Sequence, residues 1–375
     1  MRRRNRTRRG PEVDRRGDTP GGACYRDPGP DRMLLLRDAQ KADLGALRAL
    51  AAELDSVNLP DDERALASIV DHSRRSFAGK IRDPLQRSYV FVLAEPRSGR
   101  LVGTSMIIAQ HGTRESPCTF FDVSEREHYS STLDRHFRHR VLSIGYHFDG
   151  PTEIGGLVVH PRDRGGAAKP GKQLAFVRFL YLAMHRERFR EKVLAELMPP
   201  LLPDGRSAFW ESCGKRFTGL EYQDADKKSR ENKEFIQQLF PPGDIYATLF
   251  PPRVQQALGA VGPGTQGVKH MLEALGFRYV DRIDPFDGGP HYEARVEDLT
   301  VVRAHRRLRV AAGDLSPRTR APVRLVAVER PEGKVRFRAV RTALRVRGEE
   351  ALLPAEARAL LEVGPGERVH AIPFD

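Results

Sequence analysis

Cysteine is scarce: Cys24, Cys118 and Cys213 are the only three in 375 residues, widely spaced and without a CxxC pair. An odd, scattered set excludes a disulfide framework and a cysteine zinc site, and it suits a reducing cytoplasm. No run of about 18 uncharged apolar residues occurs, which excludes a membrane-spanning helix. No segment repeats at a fixed period. Acids are in deficit, 50 against 63 Lys and Arg, giving a net charge of +13. The remaining composition, 39% hydrophobic with 18 Phe, can bury a sizeable core and excludes wholesale disorder.

The basic excess is uneven. Residues 1–32 hold ten arginines against five acids. The opening MRRRNRTRR has the composition of an arm for nucleic acid or an anionic surface. GPEVDRRGDTPGG follows where an export signal needs an apolar segment, so export is not expected. A well-patterned strand opens at Met33. Residues 1–32 are therefore read as a disordered basic leader, and nucleic acid is not expected as a partner.

From Met33 the chain alternates short apolar strands with amphipathic helices. Helices are expected at 42–54 and 61–77, and strands at 89–93 and 101–109, the latter pair joined by the turn EPRSGR. A strand at 153–159 runs into a Gly/Arg/Lys loop at 161–172. A helix at 173–189 then carries Leu174, Val177, Leu180, Tyr181 and Met184 on one face. A strand at 192–197, a helix at 268–275 stopped by Gly276, and an extended stretch at 277–283 complete this region. After about residue 298 short basic strands dominate, with one helix in LPAEARALLEV.

The strand–loop–helix around Gly156-Leu-Val-Val-His-Pro-Arg-Asp-Arg-Gly-Gly-Ala is the most informative stretch. Such a loop can aim several backbone N–H groups at one anion beside the positive end of a helix dipole. Arg162, Gly165 and Ala167 fit R-x-x-G-x-A. That spacing resembles the pyrophosphate loop of the GCN5-related N-acetyltransferase superfamily, which binds acyl-coenzyme A. Ser207-Ala-Phe-Trp-Glu-Ser-Cys-Gly-Lys-Arg-Phe, Phe277-Arg-Tyr and Asp284-Pro-Phe-Asp-Gly-Gly-Pro follow in order. Together they resemble the arginine N-succinyltransferase family, of which this chain is read as a divergent member.

The resemblance implies an α/β (α+β) fold: an acyl-CoA N-acyltransferase-like mixed sheet flanked by helices over 33–297, with a small C-terminal β-rich, barrel-like unit over 298–375. It implies succinyl transfer from succinyl-CoA, as co-substrate, to the α-amine of arginine. No tightly bound cofactor and no metal are expected. The net positive charge suits a polyanion such as coenzyme A. Association with like or unlike subunits stays open.

The family's coenzyme contact falls on Leu157, with Val159 on the same strand edge, and phosphate contacts on Arg162, Gly165, Ala167 and Lys172; Lys169 is as plausible a surface charge. The family's proton-donor histidine falls on Gly262, which cannot transfer a proton. Glu153 and Glu196 could serve as bases or as partners for a cationic substrate. His270 and His160 could stand in for the histidine only if the fold brings them close. Restoring Gly262→His is then expected to raise the arginine rate. Trp210, Phe209 and Cys213 read as core. A catalytically weakened member, one re-specified for another amine, or one that only binds ligand, stays open.

Overall fold

The computed structural model describes residues 33–52, 60, 62–114, 116–231, 234–316 and 319–374. The expected leader at 1–32, with Cys24, lies outside these residues. In chain order the strands are β1 (Leu35–Asp38), β2 (Ser88–Ala94), β3 (Leu101–Ile108), β4 (Cys118–Ser130), β5 (Arg135–His147), β6 (Thr152–Val159), β7 (Lys192–Glu196) and β8 (Ile245–Tyr246). They continue with β9 (Arg278–Ile283), β10 (Pro290–Arg295), β11 (Arg306–Val310), β12 (Val323–Glu329), β13 (Phe337–Ala343), β14 (Arg345–Arg347), β15 (Glu350–Leu352) and β16 (Arg368–Pro373). All belong to one sheet, ordered β14-β15-β11-β16-β12-β13-β1-β2-β3-β6-β7-β10-β9-β4-β5-β8. The pairs β6–β7 and β11–β15 are parallel and the rest antiparallel, so the sheet is mixed.

The helices are α1 (Leu44–Ala52), α2 (Glu63–Phe77), α3 (Pro170–Met184), α4 (Ala208–Ser212), α5 (Gly214–Thr218), α6 (Tyr222–Glu231), α7 (Glu234–Leu239), α8 (Pro252–Ala257), α9 (Gln266–Leu275), α10 (Thr300–Arg303) and α11 (Ala355–Leu361). Among the described residues no helix is long and apolar enough to cross a membrane.

Strand periodicity sets the layers. On β2, Tyr89, Phe91 and Leu93 face the core built on α3, whereas Val90, Val92 and Ala94 face α1 and α2. Burial on both faces explains why β2 reads as a continuous apolar run. α3 is buried almost all round, and Leu174, Phe179 and Leu180 are fully covered. Helix α2 starts on Asp62, whose side chain accepts from Ala65 N.

The strands after residue 298 continue the sheet through β13, which pairs with β1 at Leu35–Val340 and Leu36–Ala339. One face packs Leu308, Val326, Val340 and Leu361 into a core of its own. The other adds Leu325, Phe337 and Ile372 to the α3 core.

Several details differ from the sequence reading. The expected helix at 173–189 starts at Pro170 and ends at Met184, followed by a short 3-10 turn at Arg186–Arg188. Proline at the first helical position loses no intrahelical bond, which permits the earlier start. Strands β4 and β5, which the sequence does not announce, pair over thirteen residues each. Their outer half is exposed on both faces, with Tyr129, Leu133 and Phe137 in solvent. No apolar alternation marks such a segment.

Candidate active site

The site starts from a defect in the sheet. Strands β6 and β7 pair in parallel only at Thr152–Val193 and Glu153–Leu194, and then part. Opposite Ser105 the β3–β6 register shifts, with Thr104 on Val158 and Met106 on Gly155. Gly156 absorbs the bulge at φ +55, and a Cβ there would lie 3.0 Å from Met106 Cγ and Sδ. Beyond Glu153, β6 has no strand partner on the β7 side among the described residues. Two cavities open from this wedge, and Leu157 and Val268 line both.

The inner cavity, of about 390 Å³, is acidic: Glu153, Glu196, Asp226, Asp284 and Asp287 line it. Glu153, with its side chain 4% exposed, meets His111 Nδ1 across the β3–β6 ladder. Burial opposes charge on His111, but the Glu153 carboxylate and the Cys118 thiol outweigh it and hold the ring well above the usual imidazole range. On the far wall His291 is 1% exposed, and its Nε2 lies 3.4 Å from Glu196 Oε1 without hydrogen-bond geometry. Burial pushes His291 down to about 4, so it is neutral at physiological pH.

Asp284 Oδ1 accepts from Phe286 N at 2.7 Å and Asp287 N at 3.1 Å. Burial, then the Asp284 charge, drive Asp287 well above the carboxylate range. Glu196, Asp284 and His291 bring their ligand atoms within 4.8 Å of one another, a donor set that could hold a metal ion. The same end, rich in acceptors, suits an organic cation. The cavity's one Arg or Lys among the described residues is Arg178.

The outer cavity is an apolar groove of about 750 Å³ between the start of α3 and α9, lined by Leu157, Gly171, Phe176, Val268, Met271 and Leu275. Lys172 also lines it, its Nζ held 4.9 Å over the rings of both Phe176 and Phe374. The first backbone N–H groups of α3 have no intrahelical acceptor, and Lys169 precedes them at φ +50. Asp163 ties the preceding loop to Arg100 Nη1 and Nη2 at 2.7 and 2.9 Å. Arg164 Nε donates to Val159 O at 3.1 Å.

Sequence comparison decides the family. The family of the arginine N-succinyltransferase beta subunit matches residues 34–301, and the family of that protein's C-terminal domain matches 306–373. The chain belongs to the arginine N-succinyltransferase family. An arginine N-succinyltransferase of Enterobacter sp. (strain 638) is 32% identical over 345 residues, covering 91% of this chain and 97% of that protein. The Pseudomonas aeruginosa arginine N-succinyltransferase subunit alpha is 32% identical over 344 residues, covering 91% and 99%. The solved arginine/ornithine succinyltransferase subunit AI from Pseudomonas aeruginosa superposes with a TM-score of 0.78 at 30% identity, covering 92% of this chain and 100% of that one. The expected α/β fold, a mixed sheet flanked by helices, is therefore what the succinyltransferase family and this structure share.

Within this succinyltransferase fold the residues singled out from sequence separate into groups. Glu153, Glu196 and Leu157 line the acidic cavity, and Leu157 and Lys172 line the groove. Val159 is buried behind them. Arg162, Gly165, Ala167 and Lys169 are exposed on the loop before α3. His160 caps the turn at Pro161–Asp163, accepting from Arg162 N. His270 is exposed. It lies two residues from Val268 and from Leu272, both cavity-lining, which turns it to the opposite side of α9.

Gly262 is buried beside the cavity, donating its N–H to Met198 O at 2.9 Å. A Cβ there would lie 2.7 Å from Pro199 O. The geometry argues against the expected gain from Gly262→His, because the backbone of Met198–Pro199 occupies the space a side chain would need. Trp210 is fully buried and stacks on Phe286 at 5.2 Å and 12°. Cys213 is buried, its thiol pushed up to about 12. His111, Arg178 and His291 were not legible as site residues, and Asp226 was visible only within the family match Ala225-Asp. Asp284 and Asp287 stand in a quoted family motif, where their negative charge was the available signal.

Proposed function

We propose that this chain transfers the succinyl group of succinyl-CoA to the α-amine of arginine. The observation that carries the reading is the meeting of the apolar groove and the acidic cavity at Leu157. The groove suits a pantetheine arm, with the α3 N-terminus, Lys172 and the 162–167 loop near its phosphates. Four carboxylates, Glu153, Glu196, Asp226 and Asp284, beside the neutral Asp287 carboxyl, suit a substrate that carries an ammonium and a guanidinium. Residues 298–375 supply part of the groove wall through Thr300, Val301 and Pro373. We read the co-substrate as bound only for turnover and the setting as cytoplasmic.

In this reading Glu153 takes one proton from the arginine ammonium. The freed nitrogen attacks the thioester carbonyl and forms the C–N bond. Unpaired N–H groups on the β6 edge near Leu157 stabilise the oxyanion. The C–S bond breaks, the thiolate takes the second nitrogen proton, and Glu153 releases its own to solvent. His111 holds the Glu153 carboxylate in place throughout. Positioning two reactants in one cavity supplies more of the rate than the proton transfer, which is worth about 10²–10⁴-fold. The loss of the family histidine at Gly262 therefore leaves a working route.

Thiol release from succinyl-CoA with arginine tests the reading, beside ornithine, polyamines and other acyl-CoA thioesters. Turnover on arginine with succinyl-CoA as the best donor is expected. Preference for another amine, or coenzyme binding with no turnover, would overturn it.

A further inference from the structure

We propose that Arg178 binds the free carboxylate of the acyl group, and so selects dicarboxylic over monocarboxylic acyl-CoA donors. The inference rests on the reading of the wedge as an acyltransferase site, and it adds the residue that chooses the donor.

Arg178 lies on α3 and is 3% exposed. Its guanidinium makes two long hydrogen bonds, both to backbone carbonyls: Nε to Ala175 O at 3.3 Å and Nη1 to Gly155 O at 3.4 Å. Arginine presents five N–H donors in a rigid fork shaped for a carboxylate. Among the described residues no carboxylate lies within ion-pairing distance of it. Burying a cation without a partner is costly, and such groups are retained where a ligand supplies the counter-charge. Burial depresses Arg178 to about 9, so it is still protonated at neutral pH.

Its position separates the two substrates. The bond to Gly155 O places the guanidinium beside β6, two residues before Leu157, where the thioester carbonyl is placed. Two residues of strand span about 6 Å, which suits two methylene groups and a carboxylate. The cation-seeking groups Glu196 and Asp284 lie on β7 and in the loop before β10, whereas Arg178 belongs to the helix that walls the groove. A guanidinium substrate is repelled by Arg178 and drawn to the acids. A carboxylate is sorted the opposite way.

The test compares wild type with Arg178→Met and Arg178→Lys on succinyl-CoA and on butyryl-CoA, which has the same carbon count and no carboxylate. The succinyl-to-butyryl ratio of kcat/KM is expected to fall on the order of 10²-fold or more in Arg178→Met, as when one partner of a buried charge pair is truncated. In calorimetry the wild type should bind succinyl-CoA more tightly than butyryl-CoA, and the methionine variant should not. Arg178→Lys carries the same comparison if Arg178→Met does not fold. Equal losses on both thioesters would reduce Arg178 to a structural residue and overturn the proposal. So would a loss seen with arginine but not with agmatine, which lacks the α-carboxylate, because the carboxylate would then belong to the amine. If wild type ignores arginine, the substrate reading fails, yet the two binding constants still decide the role of Arg178.

Discussion

Glu153 and His111 sit forty-two positions apart in sequence and meet side chain to side chain at the floor of the acidic cavity. Glu153→Gln keeps the size and removes the charge. It is expected to lower kcat about 10²–10⁴-fold, with coenzyme affinity unchanged in calorimetry. An unchanged rate would return Glu153 to a structural role.

His111 gives the pair a pH signature. Its proton is held more tightly in the folded chain than in the unfolded one. The stabilisation is complete below the unfolded value of about 6.5 and is lost as pH rises through the elevated folded value. His111→Gln should therefore lower the melting temperature more at pH 6 than at pH 9. It also strips a buried carboxylate of its counter-charge, which favours the neutral acid. The acidic limb of the kcat/KM profile should move to higher pH. A uniform loss at every pH would disprove this coupling.

Gly262→His is expected to destabilise, by about 1–3 kcal/mol for forced repacking, because Pro199 O stands 2.7 Å from the new Cβ. Met198, whose carbonyl accepts from Gly262 N, lines the cavity. The KM for the amine should therefore rise as well. Urea midpoints and steady-state rates check both; a faster, equally stable variant contradicts them.

Gly165→Val probes the loop proposed to hold the coenzyme phosphates. Gly165 holds φ +74 with no atom near a prospective Cβ, so the cost is backbone strain of about 1–2 kcal/mol. Relaxation of the loop should weaken acyl-CoA binding in calorimetry by about tenfold, with a small loss in melting temperature. Undiminished affinity in a folded variant would remove the loop from the phosphate site.

His370 gives a second, opposite pH dependence. It stacks on His305 at 5.1 Å and 9°, with His305 Nε2 and His370 Nδ1 2.9 Å apart. Burial first, then His305 and nearby charges, push His370 down to about 4. Below an unfolded value of about 6.5 the unfolded chain takes the proton and the folded chain does not. Stability is therefore lost as pH falls from about 6.5 towards 4. His370→Gln should flatten that slope in urea titrations at pH 7 and pH 5; an unaltered slope counts against it.

The sequence exposes what is local. β6, the loop and α3 are legible because apolar alternation, glycines and a helical stripe lie within one stretch. β4 and β5 are not, since their outer halves bury neither face. Glu153 was visible as a candidate base just before the Gly156 stretch, but its partner His111 sits in a loop after β3, and only strand pairing brings them together. Arg178 reads as one more residue on a buried helix until the fold shows that no acid among the described residues pairs with it. Gly262 shows the converse: its identity was plain, but the backbone that fills the space beside it was not.

Pro373 lines the apolar groove, and Phe374 carries the ring beneath Lys172. The groove wall is thus inherited from two segments, one supplying α3 and α9, the other arriving beside them through β13 and β1. Chimeras that exchange the C-terminal segment between relatives would import a foreign coenzyme wall while keeping the home cavity. Such hybrids should take their coenzyme KM partly from one parent and their amine selectivity from the other, so the two traits can be recombined separately.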